Sequence, residues 1–197
     1  MGRSITGTDS AGGLILSSAY KDWGTTSWRV SGSWGNVMDT SRWVTLKVMK
    51  DNPYFDIDWN LGIDHAMNWD SEAMRLVFSY STNNKSSWSS VRDTKHYSIN
   101  HCYTNTNHVC GQSKGGNVLY HPSGLNLVAG NHVAFGLQAR NDSSSNSPYF
   151  NQNSENSDGN NGQGSGWRGG GAFMRVREID SSKITIWGSA ATGTGNA

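Results

Sequence analysis

Apolar and polar side chains alternate along several stretches of the chain, and the most regular alternation covers residues 54–64. Its apolar positions are Phe55, Ile57, Trp59, Leu61 and Ile63. Because successive side chains of a strand point to opposite faces, this pattern predicts a strand with one face in the core, Trp59 included, and the other face in water.

The same alternation predicts further strands on both sides of this stretch. They cover residues 14–20, 25–34, 42–50, 73–81, 131–140 and 171–180, with a turn predicted at residues 22–24. Shorter candidates, interrupted by Asn, Ser and Gly, lie at residues 86–92, 95–100 and 115–121. The resulting order of about eight to ten strands without helical intervals predicts an all-β, antiparallel β-sandwich of the jelly-roll type.

The late strand at residues 171–180 has two unlike faces. Ala172, Met174 and Val176 lie on one face, whereas Arg175 and Arg177 lie on the other. Two arginines are too charged for a dry core but suit a surface at which subunits meet or another protein binds. We therefore interpret Arg175 and Arg177 as candidates for a subunit or partner contact.

Length and composition define the domain organisation. The 197 residues suit one domain with one core, and 24 glycines beside few glutamates indicate little helix. Residues 1–13 are small and polar and are predicted to form an N-terminal arm. Residues 14–197 then form a single jelly-roll domain, with a long Asn/Ser/Gly-rich loop at residues 141–171.

Charge and hydropathy disfavour two classes of partner. The formal net charge is +1 and no run of Lys or Arg is present, so nothing would concentrate nucleic acid or an anionic membrane at the surface. The sequence also lacks an apolar run of membrane-spanning length and a secretory h-region. We expect a soluble chain without an export signal.

Chemical motifs give little support to catalysis or to a cofactor. The chain contains no G-x-S-x-G elbow, no H-E-x-x-H and no P-loop, so we expect neither an enzyme nor a bound cofactor. Asp56, Asp58 and Asn60 resemble the opening of a calcium loop, but Gly62 comes one place late and Met67 replaces the bidentate Glu. A solvated strand face is the preferred interpretation, and no metal site is predicted.

The two cysteines lie in a cluster of soft ligands formed by His101, Cys102, His108 and Cys110. The spacing of Cys102 and Cys110 fits no common zinc finger, and the adjacent His101 and Cys102 would point to opposite faces of a strand. A hairpin disulfide between Cys102 and Cys110, or two free thiols, is preferred over zinc.

Aromatic side chains suggest one further kind of binding. Trp167, with Tyr149 and Phe150, lies inside the loop at residues 141–171, where no alternating apolar neighbours indicate a strand. An exposed aromatic ring offers a flat surface to a sugar or a partner protein. The alternative is that Trp167 packs the loop back onto the domain.

Three segments give the chain a resemblance to a known family. They are Thr26–Gly32 (TSWRVSG), Ala73–Val77 (AMRLV) and Gly171–Ile179 (GAFMRVREI). In this order the segments resemble the early, central and closing strands of the trimeric C1q/TNF-like jelly rolls found in structural proteins of bacteriophages and other viruses. The loop at residues 141–171 is longer than in that pattern, and an apolar segment at residues 183–187 follows the closing strand.

The resemblance implies a homotrimer whose function is binding and assembly. The short arm suits a capsid decoration or cement protein on the virion surface, made in the host cytoplasm, with the major capsid protein as its partner. The alternative is a recognition module, either a receptor-binding tail-fibre tip or a lectin that binds a host glycan.

Overall fold

The computed structural model describes residues 14–24, 28–29, 35–36, 43–66, 72–91, 96–100, 110–141, 149–150 and 172–185. These residues form strands and one 3-10 helix, Ser181–Lys183. The strands are β1 (Ile15–Gly24), β2 (Trp28–Arg29), β3 (Gly35–Asn36), β4 (Val44–Lys47), β5 (Tyr54–Ala66), β6 (Glu72–Ser81), β7 (Ser89–Ser90), β8 (His96–Asn100), β9 (Cys110–Tyr120), β10 (His132–Asn141), β11 (Tyr149–Phe150) and β12 (Ala172–Ile179).

The longer strands form two antiparallel sheets with an interleaved order. The first sheet contains β1, β12, β5 and β9 side by side, and the second contains β4, β10, β6 and β8. Two-residue strands extend them, β11 and β2 in the first sheet and β3 and β7 in the second. Because the first long strand pairs with the last and the chain crosses repeatedly between sheets, the architecture is a jelly-roll β-sandwich, as predicted.

Most of the predicted strands are confirmed, and one local prediction, the turn at residues 22–24, is wrong. The predicted turn at residues 22–24 is instead the end of β1, because a bulge between Asp22 and Gly24 lets the pairing with β12 continue as far as Ala172. The predicted loop at residues 141–171 contains β11, which pairs with β5 through Tyr149 opposite His65 and Phe150 opposite Asp64.

The core lies between the inner faces of the two sheets. The rings of Phe55 on β5 and Phe135 on β10 meet edge to face across it, with centroids 4.8 Å apart. Trp59 is buried in the same cluster, which confirms its prediction as a core residue. The alternation predicted for residues 54–64 therefore identifies the inner face of β5 correctly at Phe55, Ile57 and Trp59.

A second aromatic group, with Trp43 buried and Trp88 half-buried, lies on the outer face of the second sheet. Val133, Phe135 and Leu137 on β10 belong to the core, so Gly136 faces outward between them. A Cβ atom at Gly136 would lie 1.9 Å from the ring of Trp43, which therefore rests directly on the glycine backbone. Trp88 packs against Trp43, and these rings seal the middle of this face.

One end of the sandwich is held together by hydrogen bonds between the β4–β5 connection, residues 48–53, and the β9–β10 connection, residues 121–131. These bonds run from Val48 N to Asn131 O, from Gly130 N to Val48 O, from Asn52 N to Leu127 O and from Ala129 N to Asp51 Oδ1. The start of β1 and the end of β12 lie at this same end, because Ile15 pairs with Ile179 and Ile179 with Tyr54.

Glu178 fastens the β4–β5 connection to β12. Its carboxylate is fully buried and accepts hydrogen bonds from Met49 N (2.8 Å), Lys50 N (2.9 Å) and Ser17 Oγ (3.1 Å). Burial raises the pKa of Glu178, and the three hydrogen bonds offset that effect only in part. A single acidic side chain thus accepts from two consecutive backbone donors of the connection.

Candidate binding surfaces

Charged side chains form a ladder on the outer face of the first sheet. Arg175 lies opposite Asp58, and Arg177 lies opposite Asp56. Arg175 Nε and Arg177 Nη2 each donate to Asp58 Oδ2 at 2.9 Å, and Arg177 also forms an ion pair with Asp56. Asn117 on β9 donates from its amide to both carboxylates. Three neighbouring strands therefore contribute to one polar network, the charged ladder.

The charged ladder changes the interpretation of its acidic residues. Burial acts to raise the pKa of Asp58, but the hydrogen bonds from Arg175 and Asn117 outweigh it and hold that pKa below its ordinary value. The Asp56 and Asp58 carboxylates face guanidinium groups of their own chain. Among the described residues, no group of three or more His, Cys, Asp or Glu side chains could hold a metal ion.

The two arginines retain limited access to a partner. The Arg175 side chain is 45% exposed and that of Arg177 is 24% exposed, although both are engaged by aspartates of the same chain. A contact with a subunit or partner stays a prediction for these residues. In the sequence, residues 54–64 carry acidic side chains at alternate positions and residues 171–180 carry basic ones. This complementary pattern could have indicated that the two strands pair with each other.

Large apolar side chains are exposed at the hydrogen-bonded end of the sandwich. Leu14, Ile15, Met49 and Val128, which we call the apolar end surface, have exposed fractions between 38% and 48%. Leu14 is tied to the end of β12 through Asp180 N, and Met49 is tied to Glu178. The surface combines the start of β1 with both connections, so it could not be recognised in any single stretch of sequence.

The apolar end surface is bordered by charge and fixed in position. Lys50 Nζ lies 2.7 Å from Asp180 Oδ1 beside Met49, and this contact, with hydrogen bonds from Ser182, lowers the pKa of Asp180 to about 2. Apolar side chains within a polar border are the usual composition of a protein-binding surface. Because their backbone is held by hydrogen bonds, little ordering would be needed on binding.

The other residues singled out in the sequence fall only partly within the described chain. Cys110 begins β9 opposite Ala66, whereas Cys102 lies outside the described residues, so their disulfide stays a prediction. Tyr149 and Phe150 form β11, and Trp167 lies outside the described residues. Within the part of the chain that is described, no helix is long and apolar enough to cross a membrane.

Comparisons with known proteins give no family assignment. No family model and no curated protein matches the chain. Among solved structures, it is similar to Eiger TNF from S. frugiperda, with 12% identity, a TM-score of 0.41, and coverage of 87% of this chain and 98% of that one.

A second similar structure is that of infectious bursal disease virus, Gx strain. The identity is 6% and the TM-score 0.33, with 98% of this chain covered and 44% of that one, so this chain spans less than half of the viral chain. The assignment of the fold therefore depends on the strand order and pairing described above.

Proposed function

We propose that this chain is a virion structural protein that decorates a capsid shell as a homotrimer. The observation that carries the proposal is the apolar end surface. Its four large side chains are exposed on a rigid end of the jelly roll, beside the residue at which the N-terminal arm joins β1. Attachment to a shell requires a preformed surface of this kind.

The point at which the chain enters β1 favours a large, fixed partner. Leu14 belongs to the apolar end surface and directly precedes β1, so the segment before it joins the domain at this surface. A folded surface and an adjacent segment that bind the same lattice act together through their effective concentration. This arrangement suits the major capsid protein as the partner.

The proposed trimer is supported by the resemblance of the three sequence segments to trimeric jelly rolls. Within such an assembly, the exposed part of Arg175 on the charged ladder is available for a contact between copies of the chain. The pairs with Asp58 and Asp56 would then orient the guanidinium groups before assembly.

The test is to measure binding to particles that lack the protein. We expect the double substitution Met49→Lys and Val128→Lys to lower the particle-bound fraction at least tenfold, because two charges would have to be desolvated at the contact. The double substitution Met49→Leu and Val128→Ile is the matched control, because both exposed positions stay apolar and particle binding should be unchanged.

Light scattering of the purified chain and a particle map complete the test. A mass of three chains and density on the outer shell are the expected results. A monomer that does not associate with particles, or a double variant that binds as well as the wild type, would overturn the proposal.

A further inference from the structure

A groove crosses the outer face of the second sheet near the hydrogen-bonded end. Its floor is one cross-section of three strands, in which Ala134 on β10 lies between Thr45 on β4 and Ser81 on β6. The cavity has a volume of about 460 Å³, and a neighbouring cavity of about 270 Å³ shares part of its lining. This volume is within the range of small-molecule sites.

The two walls of the groove are turns whose shape is held by hydrogen bonds. The wall at residues 82–85 is held by Asn83 Oδ1, which accepts from Ser87 N and from Ser81 Oγ. In the wall at residues 130–132, Asn131 Oδ1 accepts from Val128 N. Because both walls are formed before a ligand arrives, binding would require little ordering of the protein.

Neutral side chains of the lining remain available for hydrogen bonds with a ligand. Thr45, Thr82 and Asn84 are exposed and make no side-chain hydrogen bond with any residue that the structure describes. Asn131 uses its Oδ1 for Val128 N, which leaves its Nδ2 as a donor. Hydroxyl and amide groups both donate and accept hydrogen bonds, and the hydroxyl groups of a sugar do the same.

An aromatic ring lies beside this neutral lining. Two positions along β10 from Ala134, the buried Trp43 ring rests on Gly136, and Trp88 packs edge to face on Trp43 with ring centroids 3.6 Å apart. Trp88 is only half-buried and lies three residues after the wall at residues 82–85. The exposed part of its indole ring is therefore placed to pack against a ligand at this end of the groove.

We propose that this groove binds a neutral sugar, such as the terminal hexose of a glycan. The pyranose ring packs against Trp88, and its hydroxyl groups form hydrogen bonds with Thr45, Thr82 and Asn84. A flat aromatic surface beside fixed, uncharged hydrogen-bonding groups distinguishes a sugar ring from an open-chain polyol, which has the hydroxyl groups but no ring face.

Calorimetric titration of the full chain tests the proposal, with lactose, maltose, sorbitol and sialyllactose as probes. We expect lactose or maltose to bind at least tenfold more tightly than sorbitol, and the stronger of the two identifies galactose or glucose as the terminal residue. Three results would overturn the proposal: no binding of either disaccharide, equal binding of sorbitol, or tighter binding of sialyllactose than of lactose.

The hydroxyl groups are tested by the double substitution Thr45→Val and Thr82→Val. Valine keeps the branched shape of threonine and removes only the hydroxyl, so we expect the affinity for the preferred disaccharide to fall at least tenfold. Thr185→Val is the matched control, because Thr185 is also exposed but does not line the groove. Unchanged affinity in the double variant would contradict the proposal.

The aromatic contact is tested by two substitutions of Trp88. Trp88→Phe keeps an aromatic face and should retain most of the affinity, whereas Trp88→Leu still covers Trp43 but should bind at least tenfold more weakly. Melting temperatures of both variants separate a loss of binding from a loss of folding. Equal affinities in the two variants, both folded, would show that the sugar ring does not pack against residue 88.

The sugar site is separate from the apolar end surface, so the two can fail independently. The double substitution Met49→Lys and Val128→Lys should leave sugar binding intact, since neither residue lines the groove. Loss of sugar binding in this double variant would argue against a separate site.

Discussion

The outer faces of the two sheets are both polar, but their polar groups are arranged differently. On the first sheet, Arg175 and Arg177 face Asp56 and Asp58 across adjacent strands, so opposite charges are paired within the chain. On the second sheet, the hydroxyl groups of Ser79 and Ser90 both donate to Gln138 Oε1. The described part of the first face therefore pairs opposite charges, whereas the described part of the second uses neutral hydrogen bonds beside the Trp43 ring.

This difference separates two ways of stabilising the outer face of a sheet. Cross-strand ion pairs help to define register and contribute modestly to stability, so the charged ladder needs no ligand to explain it. On the second sheet, the Trp43 ring packs on Gly136 and the hydrogen bonds to Gln138 link neighbouring strands, so packing and neutral hydrogen bonds stabilise that face.

The largest expected effect comes from disturbing the support of the second face. Gly136→Ala places a methyl group 1.9 Å from the buried Trp43 ring, so we expect a loss of about 2–4 kcal/mol in the free energy of unfolding, measured by urea denaturation. Gly124→Ala is the control, because a Cβ there meets nothing within 4 Å, and it should change stability by less than about 0.5 kcal/mol. Equal stabilities for the two variants would show that the aromatic cover does not hold this face.

Glu178 offers the next largest effect, at the shared end of both sheets. Glu178→Gln replaces one acceptor oxygen with an NH₂ group, which then faces another donor, either a backbone N–H or the Ser17 hydroxyl. We therefore expect the free energy of unfolding to fall by about 1–3 kcal/mol. Asp51→Asn is the matched control, because the amide oxygen can still accept from Ala129 N. An equal loss of unfolding free energy in Asp51→Asn would show that Glu178 contributes no more to stability than Asp51 does.

The pH dependence of stability should have opposite signs at the two carboxylates. The pKa of Glu178 is raised in the folded state. Its contribution to the stability of the fold is therefore complete at low pH and is lost as the pH rises through the folded pKa. The pKa of Asp58 is lowered, so its contribution is present above its ordinary value of 3.8 and is lost as the pH falls towards the folded pKa. The measurement is the midpoint of urea denaturation as a function of pH. The dependence that comes from Glu178 should disappear in Glu178→Gln, and the one that comes from Asp58 should disappear in Asp58→Asn.

The smallest expected effect concerns a single rung of the charged ladder. A double-mutant cycle of Arg175→Ala and Asp58→Ala should give a coupling energy of about 0.5–1 kcal/mol, because the arginine is nearly half exposed. The coupling should weaken in high salt. If the wild-type chain forms an oligomer and Arg175→Glu dissociates it, the predicted subunit contact gains support. An unchanged oligomer would mean that Arg175 contacts only its own sheet.

The sequence predicts the fold and the faces of individual strands better than the sites. Alternation in residues 54–64 and 171–180 correctly separates Ile57 and Val176 from Asp58 and Arg175. It does not reveal that Asp58 and Arg175 lie opposite each other, because that register joins residues 117 positions apart. The predicted turn at residues 22–24 failed for a related reason, since pairing with β12 overrides the local turn signal.

The apolar end surface could not be predicted because it combines separate segments. Leu14 directly precedes β1, Met49 lies in the β4–β5 connection and Val128 lies in the β9–β10 connection. The requirement for glycine at residue 136 could not be predicted either, because it comes from the ring of Trp43, which is far away in the sequence.

The pairing of β1 with β12 has a consequence for synthesis on the ribosome. Ile15 finds its ladder partner only when Ile179 has been made, and β5 has β12 on one of its edges. During translation the edge of β5 that later pairs with β12 would therefore stay unpaired. An unpaired strand edge can pair with other nascent chains. Completion of this sandwich depends on its last long strand, so a chaperone that shields strand edges would act mainly before Ala172 emerges.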